Sequence, residues 1–251
     1  MGKKKVYLSA ASHAADNKTA CYRQCSENTH CNQYMELVQQ MLLEQGIDAR
    51  RGSPAYTGET GMVKKVKEAN AWGADLYYVA HTNAGGGRYS MTMCWGNAAS
   101  TAMANILHNH RRCVKTHKVV TRRDLYEIRA TKMVCLYDEL FFHDNAQDCA
   151  WFHDTGMQDM AEETVRAICE MLEVPYKDPP DEFLRPQAGD HVCLDKDELY
   201  LASTGNAAVI RSGTFYVYDG LQINGRYRVT NKLSRVKKTP IAANVSGWVP
   251  L

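Results

Sequence analysis

Hydrophobic and polar positions follow two different periods over the first two-thirds of the chain. Short apolar runs with the length of buried strands occupy residues 5–10, 47–51, 75–81, 90–95 and 132–141. Between them, apolar residues recur every three to four positions, which predicts helices over residues 27–45, 60–72, 98–112 and 157–172. Gly46 and Gly73 follow two of these segments, at the position where helices commonly end. The alternation predicts an α/β domain, with a twisted, mostly parallel sheet and helices on both of its faces.

The pattern changes near residue 174. The stretch VPYKDPPDEFLRPQAG contains four of the seven prolines, so we predict a Pro-rich linker over residues 175–187. Residues 188–251 then carry short β-patterned runs separated by Gly, Asn and Asp, without a helical period. We therefore expect an α/β domain over residues 1–174, the linker, and a small all-β barrel over residues 188–251. The last module has eight Lys and Arg against five Asp and Glu, which suits an anionic polymer.

Composition and charge narrow the classes of function. The chain is 45% hydrophobic and 23% charged with a net charge of +2, so it lacks the basic footprint of a nucleic-acid-binding protein. Its apolar runs are shorter than the ~18 to 20 residues of a membrane span. The start, MGKKKVYLSAASH, has too short an apolar stretch for a secretory signal, which favours synthesis in the cytoplasm. Nine scattered cysteines argue against a disulfide scaffold.

Four candidate side chains lie at or near one edge of the predicted sheet. His13 comes three residues after the first strand, His81 ends the central strand, Glu139 lies near the end of KMVCLYDELF, and Glu27 opens the first long helix. Groups at the carboxyl ends of parallel strands can converge on one crevice. Two imidazoles, one carboxylate and an open position form a usual catalytic zinc set, and a further carboxylate can act as the base.

Each of these residues also has a purely structural interpretation. An isolated histidine with apolar neighbours, such as His81, is more often part of a core than of a site. Glu27 follows Ser26 and could simply stabilise a helix N-terminus. Glu139 is costly to bury without a partner. Because successive side chains of a strand alternate, we expect one of Asp138 and Glu139 to face outward and the other to face the site.

Two longer motifs favour the functional interpretation of these residues over the structural one. KEANAWGADLYYVAHTNA and, downstream, LYDELFFHDNAQDCAWF resemble the zinc-dependent N-acetylmuramoyl-L-alanine amidases of the amidase type 3 family. The matching positions of the first motif are Ala69, Asn70, Gly73, Ala74, Asp75, His81, Thr82, Asn83 and Ala84. Those of the second are Glu139, Phe142 and Asn145.

The resemblance implies a role for each candidate. His81 would be a zinc ligand and Glu139 the catalytic carboxylate, while His13 and Glu27 occupy the places of the other two ligands. The first histidine departs from the family, since Ser12, His13, Ala14 and Ala15 stand where a Gly-His-Gly-Gly-like stretch is usual. His30, one turn further along the helix, competes for the position of Glu27.

The implied activity is zinc-dependent hydrolysis of the amide between N-acetylmuramic acid and L-alanine in bacterial peptidoglycan. The enzyme would act on the cell wall as a phage endolysin or an autolysin. The C-terminal module, with its late SGWV, resembles the SH3-like domains attached to cell-wall hydrolases.

Three alternatives remain open at this stage. Cys21, Cys25, His30 and Cys31 lie within eleven residues and could form a zinc site in a non-catalytic zinc-binding or cell-wall protein. The glycines at 85–87 could form a phosphate cradle, although no Lys-Ser or Lys-Thr follows them. If the three glycines form no such cradle, their small size would keep the rim of a substrate cleft low. A protein that keeps the fold but only binds cell wall is the third alternative, and Glu139 argues against it.

Overall fold

The chain forms two compact units, Met1–Lys177 and Asp178–Leu251. The computed structural model describes residues 2–21, 25–178 and 186–251. Most of the linker predicted over residues 175–187 therefore lies outside the described residues, and the domain roles attached to the two units stay predictions.

A six-stranded sheet forms the centre of the first unit. Its strands are β1 (Lys5–Ala10), β2 (Asp48–Arg51), β3 (Leu76–Asn83), β4 (Ser90–Cys94), β5 (His117–Thr121) and β6 (Val134–Phe142). They lie in the order β2-β1-β3-β6-β4-β5. Neighbouring strands are parallel except for the antiparallel pair β6 and β4, so the expectation of a mostly parallel sheet is confirmed.

Helices cover both faces of this sheet. They are α1 (Glu27–Glu44), α2 (Gly58–Trp72), α3 (Ala98–His110), α4 (Tyr126–Ala130), α5 (Ala146–Trp151) and α6 (Met157–Met171). In β3, Leu76, Tyr78 and Ala80 pack in one core with α1, α3 and α6, whereas Tyr77 and Val79 pack in a second core with α2 and α4. Burial on both faces explains why β3 is apolar without alternation.

Several short elements were absent from the predicted pattern. They are β5, α4, α5 and a π-helical turn, Phe152–Gly156, that joins α5 to α6. Each has five or six residues, which is too short for a hydrophobic period to be recognised. The predicted elements themselves are present, with ends that differ from the expected ones by up to two residues.

Asp138 corrects one expectation about β6. It alternates with Glu139, but it does not face outward, because it is fully buried on the face covered by α3 and α6. There it forms an ion pair with the equally buried Arg111. Burial raises the pKa of the Asp138 carboxyl, but the Arg111 charge and the hydrogen bonds of this cluster lower it well below its usual range.

The three glycines after β3 also have a different role from the expected one. The backbone N–H groups of Gly85 and Gly86 donate to the carboxylate of Asp144 at 2.8 and 2.9 Å, so the loop already binds an anionic group of the protein itself. A Cβ on Gly87 would lie 2.3 Å from the ring of Phe142. A tight turn and close packing therefore account for these glycines, rather than a phosphate cradle or a lowered cleft rim.

The second unit contains four antiparallel strands in a closed order, β10-β7-β8-β9. They are β7 (His191–Tyr200), β8 (Ala208–Ile223), β9 (Arg226–Thr230) and β10 (Gly247–Val249). Two of the short β-patterned runs of the sequence, at residues 207–212 and 214–219, belong almost entirely to the single long strand β8. A four-residue helix, α7 (Ile241–Asn244), and a 3-10 turn, Leu233–Arg235, were not expected. Among the described residues of the chain, no helix has the length and apolar character needed to cross a bilayer.

Candidate active site

Three different elements bring His13, Glu27 and His81 together. His13 lies in the loop after β1, where its backbone N–H and C=O bond to the side chain of Asn28 at 2.9 and 3.0 Å. Glu27 is the first residue of α1, whose N-cap Ser26 accepts a hydrogen bond from Thr29. His81 lies in β3, next to β1 in the sheet. The carboxyl ends of β1 and β3 and the start of α1 therefore form one site.

The Glu27 carboxylate lies at the centre of the group. Its Oε1 is 3.0 Å from His81 Nδ1 and accepts the Thr82 backbone N–H at 3.0 Å. Its Oε2 is 3.2 Å from His13 Nε2 and accepts a bond from Asn17 Nδ2 at 2.6 Å. Burial alone raises the pKa of Glu27, but the His81 bond, followed by those of Thr82 and Asn17, lowers it to about 2. The Glu27 carboxyl is therefore ionised at neutral pH.

The geometry of these three residues fits a divalent zinc ion. One ligand atom of each lies within 4.8 Å of the other two. His13 Nε2 is buried and makes no hydrogen bond within the described residues, although Glu27 lies near it. A buried nitrogen aimed at a carboxylate and a second imidazole suits a shared cation, and two imidazoles with one carboxylate form a donor set that zinc prefers.

Glu139 lies beside this group rather than in it. It is the register partner of His81 on the neighbouring strand β6, so both side chains lie on the same face of the sheet. Its Oε2 atom is buried and makes no hydrogen bond to a described residue. Burial raises the pKa of Glu139 to about 7, although the charge of His81 lowers it. A carboxyl group that changes protonation near neutral pH is suited to general acid and base chemistry.

Three residues that were not among the candidate site residues also surround Glu27. They are Asn17 and Thr82, described above, and His143, whose Nδ1 is 3.9 Å from Glu27 Oε2 and 2.8 Å from Thr82 Oγ1. His143 follows β6 directly within LYDELFFHDN, so its place after a strand end could have identified it. Asn17 lies in an irregular loop, and no sequence pattern marks it.

A cavity of about 440 Å³ opens next to His13 and His81. His13, His81 and Tyr137 form part of its wall, and Tyr137 stacks on the ring of His81 with centroids 4.7 Å apart. Residues of β1 and the loop after it, of α2, and of the start of α4 line the rest. A larger cavity of about 520 Å³ is lined by other residues. Of these two cavities, the smaller one therefore adjoins His13 and His81.

The cysteine cluster differs from the expected one. Cys21, Cys25 and His30 do meet, but their fourth neighbour is His153 and not Cys31. Cys31 is fully buried in the core between α1 and the sheet. His30 belongs to this second group, so it does not take the place of Glu27.

Comparisons with known proteins agree with this description. The family model Amidase_3, N-acetylmuramoyl-L-alanine amidase, matches residues 9–170. The comparison with curated proteins gave no match.

Solved amidase structures have a similar fold. The catalytic domain of CwlV from Bacillus (Paenibacillus) polymyxa var. colistinus is 21% identical over 68% of this chain and 99% of its own, with a TM-score of 0.61. CwlD from Clostridioides difficile, solved in complex with the GerS lipoprotein, is 17% identical over 69% of this chain and 100% of its own, with a TM-score of 0.60. The catalytic domain of the CD27L endolysin, which targets Clostridia difficile, is 16% identical over 69% of this chain and 99% of its own, with a TM-score of 0.54.

At these identities the solved structures establish the fold, while the family model covers well over half of the chain. The chain therefore belongs to the Amidase_3 family of N-acetylmuramoyl-L-alanine amidases.

Proposed function

We propose that the protein hydrolyses the amide bond between the lactyl group of N-acetylmuramic acid and L-alanine in bacterial peptidoglycan, with the aid of Zn²⁺. The observation that carries this proposal is the convergence of His13, Glu27 and His81, with Glu139 on the next strand, whose buried Oε2 makes no hydrogen bond to a described residue. Membership of the Amidase_3 family supports the choice of substrate.

His13, Glu27 and His81 would hold the metal. When bound, Zn²⁺ supplies Lewis acidity, which lowers the pKa of water and polarises the scissile carbonyl. Asn17 and the Thr82 backbone hold the Glu27 carboxylate in place, and Asn28 holds the His13 backbone.

Glu139 would move the proton. As a carboxylate it accepts a proton from the attacking water, and as a carboxylic acid it donates that proton to the nitrogen of the departing L-alanine. A pKa of about 7 suits both steps, because neither protonation state is strongly disfavoured at neutral pH. The cavity walled by His13, His81 and Tyr137 would hold the substrate next to the two proposed histidine ligands.

Digestion of purified peptidoglycan tests this function. Hydrolysis at the proposed bond releases new L-alanine amino groups without new reducing sugars. Activity that survives both chelation of metal and the Glu139→Ala substitution would exclude the proposed mechanism.

The second unit would bind the cell wall as an SH3-like domain. The protein would then act at the wall, after release by a phage or export from the cell. The cationic end of this unit supports the proposal, since no acidic residue follows Asp219. Full-length protein in which the exposed Lys232 and Lys238 are changed to Glu is expected to sediment less with intact walls. The same charge change at Lys3 and Lys132, exposed on the first unit, is the matched control. Equal loss in both variants would indicate a general charge effect and no wall-binding unit.

A further inference from the structure

Four metal-ligating side chains meet near the start of α1, apart from His13, Glu27 and His81. They are the thiols of Cys21 and Cys25 and the imidazoles of His30 and His153, and one ligand atom of each lies within 4.8 Å of the others. Zinc bonds of about 2.3 Å to sulfur and about 2.0 Å to nitrogen separate tetrahedral ligand atoms by roughly 3.3 to 3.8 Å. The cluster thus has nearly the dimensions of a zinc site.

The two histidines face each other across this cluster. His30 Nε2 lies 2.9 Å from His153 Nε2, although 123 residues separate them in sequence. The fully buried His30 ring is fixed by Phe141 and Phe152, whose centroids lie 5.6 and 5.7 Å away. The two nitrogens would separate by only a few tenths of an ångström to bind one zinc ion.

A local departure from regular helix places His153. It lies in the π-helical turn Phe152–Gly156, which separates α5 from α6. A Cβ on Gly156 would lie 2.5 Å from the Trp151 ring, so the packing of this turn requires glycine. Single π-helical turns are rare and occur frequently at functional sites.

The backbone on either side of residues 22–24 is fixed by neighbouring groups. Lys18 and Ser26 form an antiparallel bridge, and Thr19 Oγ1 donates to the Cys25 carbonyl at 2.8 Å. The Ala20 N–H donates to the His143 carbonyl at 2.7 Å. These contacts within the chain hold Cys21 and Cys25 close to the two histidines.

We propose that Cys21, Cys25, His30 and His153 bind a second zinc ion, in a closed structural site. Two thiolates and two imidazoles fill all four positions of a tetrahedral zinc, which leaves no place for water or substrate. Binding replaces the thiol protons, so two protons are released to solvent when both cysteines ligate as thiolates. The first turn of α1 carries both Glu27 and His30, so the ion would fix the helix start that presents Glu27. This proposal rests on different ligands from those of the proposed hydrolysis.

Cobalt distinguishes the two sites, because thiolate ligands give Co²⁺ a strong sulfur-to-metal charge-transfer absorption and a His and Glu site does not. Reduced, metal-free, full-length protein is titrated with Co²⁺ and then with Zn²⁺. Wild type is expected to bind two zinc ions and to show the thiolate band, which Zn²⁺ removes. Glu27→Gln should lose one zinc and keep the band, whereas Cys25→Ser should lose or strongly reduce the band because it removes a thiolate. His153→Gln keeps both thiolates and should bind Co²⁺ more weakly at this site. Both of these variants should keep the zinc held by Glu27.

Two cysteines outside the cluster provide controls. Cys31→Ala tests the ligand suggested by sequence spacing, and Cys193→Ser alters an exposed thiol of the second unit. Both should retain the band. Because a variant can fail to fold, X-ray absorption of zinc-loaded Glu27→Gln is a second measurement, with sulfur neighbours at about 2.3 Å expected. Zinc without sulfur neighbours, a Cys21 to Cys25 disulfide that persists under reduction, or an unchanged band in Cys25→Ser would overturn the proposal.

Discussion

His81 on β3 and Glu139 on β6 are register partners on adjacent parallel strands. His81 forms part of the proposed ligand group with His13 and Glu27, and Glu139 keeps a buried carboxyl oxygen without a hydrogen-bond partner among the described residues. The register of two neighbouring strands therefore sets the relation between the proposed metal and the proposed base.

Glu139→Gln should lower kcat by roughly 10²- to 10⁴-fold, the usual contribution of a general base. The amide keeps the size of the side chain but cannot accept and return a proton. Zinc content should stay at the wild-type value, because Glu139 lies outside the ligand group. Kinetics on soluble muropeptides with parallel metal analysis check this. A variant that loses both zinc and activity would make Glu139 a ligand instead.

Glu139→Gln should also stabilise the metal-free protein against unfolding at alkaline pH. The pKa of Glu139 is about 7 in the folded protein against an ordinary value of 4.5. The native state therefore binds the proton more tightly than the unfolded state, and its stability falls as pH rises from about 4.5 to about 7. Glu139→Gln removes this loss, so we expect a gain in unfolding free energy of about 1 to 3 kcal/mol at pH 8.

Urea unfolding at pH 8 and pH 4 measures this difference. At pH 4 the carboxyl is protonated in the native state and the gain should nearly vanish. Bound zinc should reduce the gain at pH 8, because its positive charge favours the carboxylate. A difference between variant and wild type that does not depend on pH would contradict the pKa assigned to Glu139.

The buried ion pair between Arg111 and Asp138, the residue before Glu139 on β6, should contribute strongly to the free energy of unfolding. Arg111→Met leaves the Asp138 carboxylate buried without its partner and is expected to cost about 3 to 5 kcal/mol. Arg122 and Asp124 form an exposed pair, so Arg122→Met, its matched control, should cost less than about 1 kcal/mol. Urea unfolding of both variants compares them. Equal costs would mean that Asp138 is not held as an ion in the core.

Asn17 should affect metal affinity without touching the metal. Its side chain donates to Glu27 Oε2, and removal of such an outer hydrogen bond usually weakens binding 10- to 100-fold, so we expect about that loss in Asn17→Ala. Asn32→Ala is the control, since Asn32 bonds to the α1 backbone at the Asn28 carbonyl. Competition with a zinc chelator measures both. If Asn17→Ala and Asn32→Ala bound zinc with equal affinity, Asn17 would have no role in the metal site.

The sequence predicts most of the first unit because its signals are local. Apolar runs and helix-ending glycines locate the main strands and helices, and strand ends locate His13 and His81. The buried partners of Asp138 and His30 are harder to predict from the sequence. Asp138 is buried because a helix brings Arg111 to it, and His153 reaches His30 across 123 residues through a π-helical turn. Such contacts depend on tertiary packing, which periodicity and spacing do not encode.

Isotopic labelling of a defined substrate tests the central claim most directly. Zinc-loaded protein is incubated in ¹⁸O-water with a muramyl peptide, and both products are analysed by mass spectrometry. The proposed mechanism predicts one ¹⁸O in the lactyl carboxylate of muramic acid and an unlabelled peptide that begins with L-alanine, with almost no product from Glu139→Gln. Label in a peptide carboxylate or in a sugar hydroxyl, or equal labelling by Glu139→Gln, would contradict it.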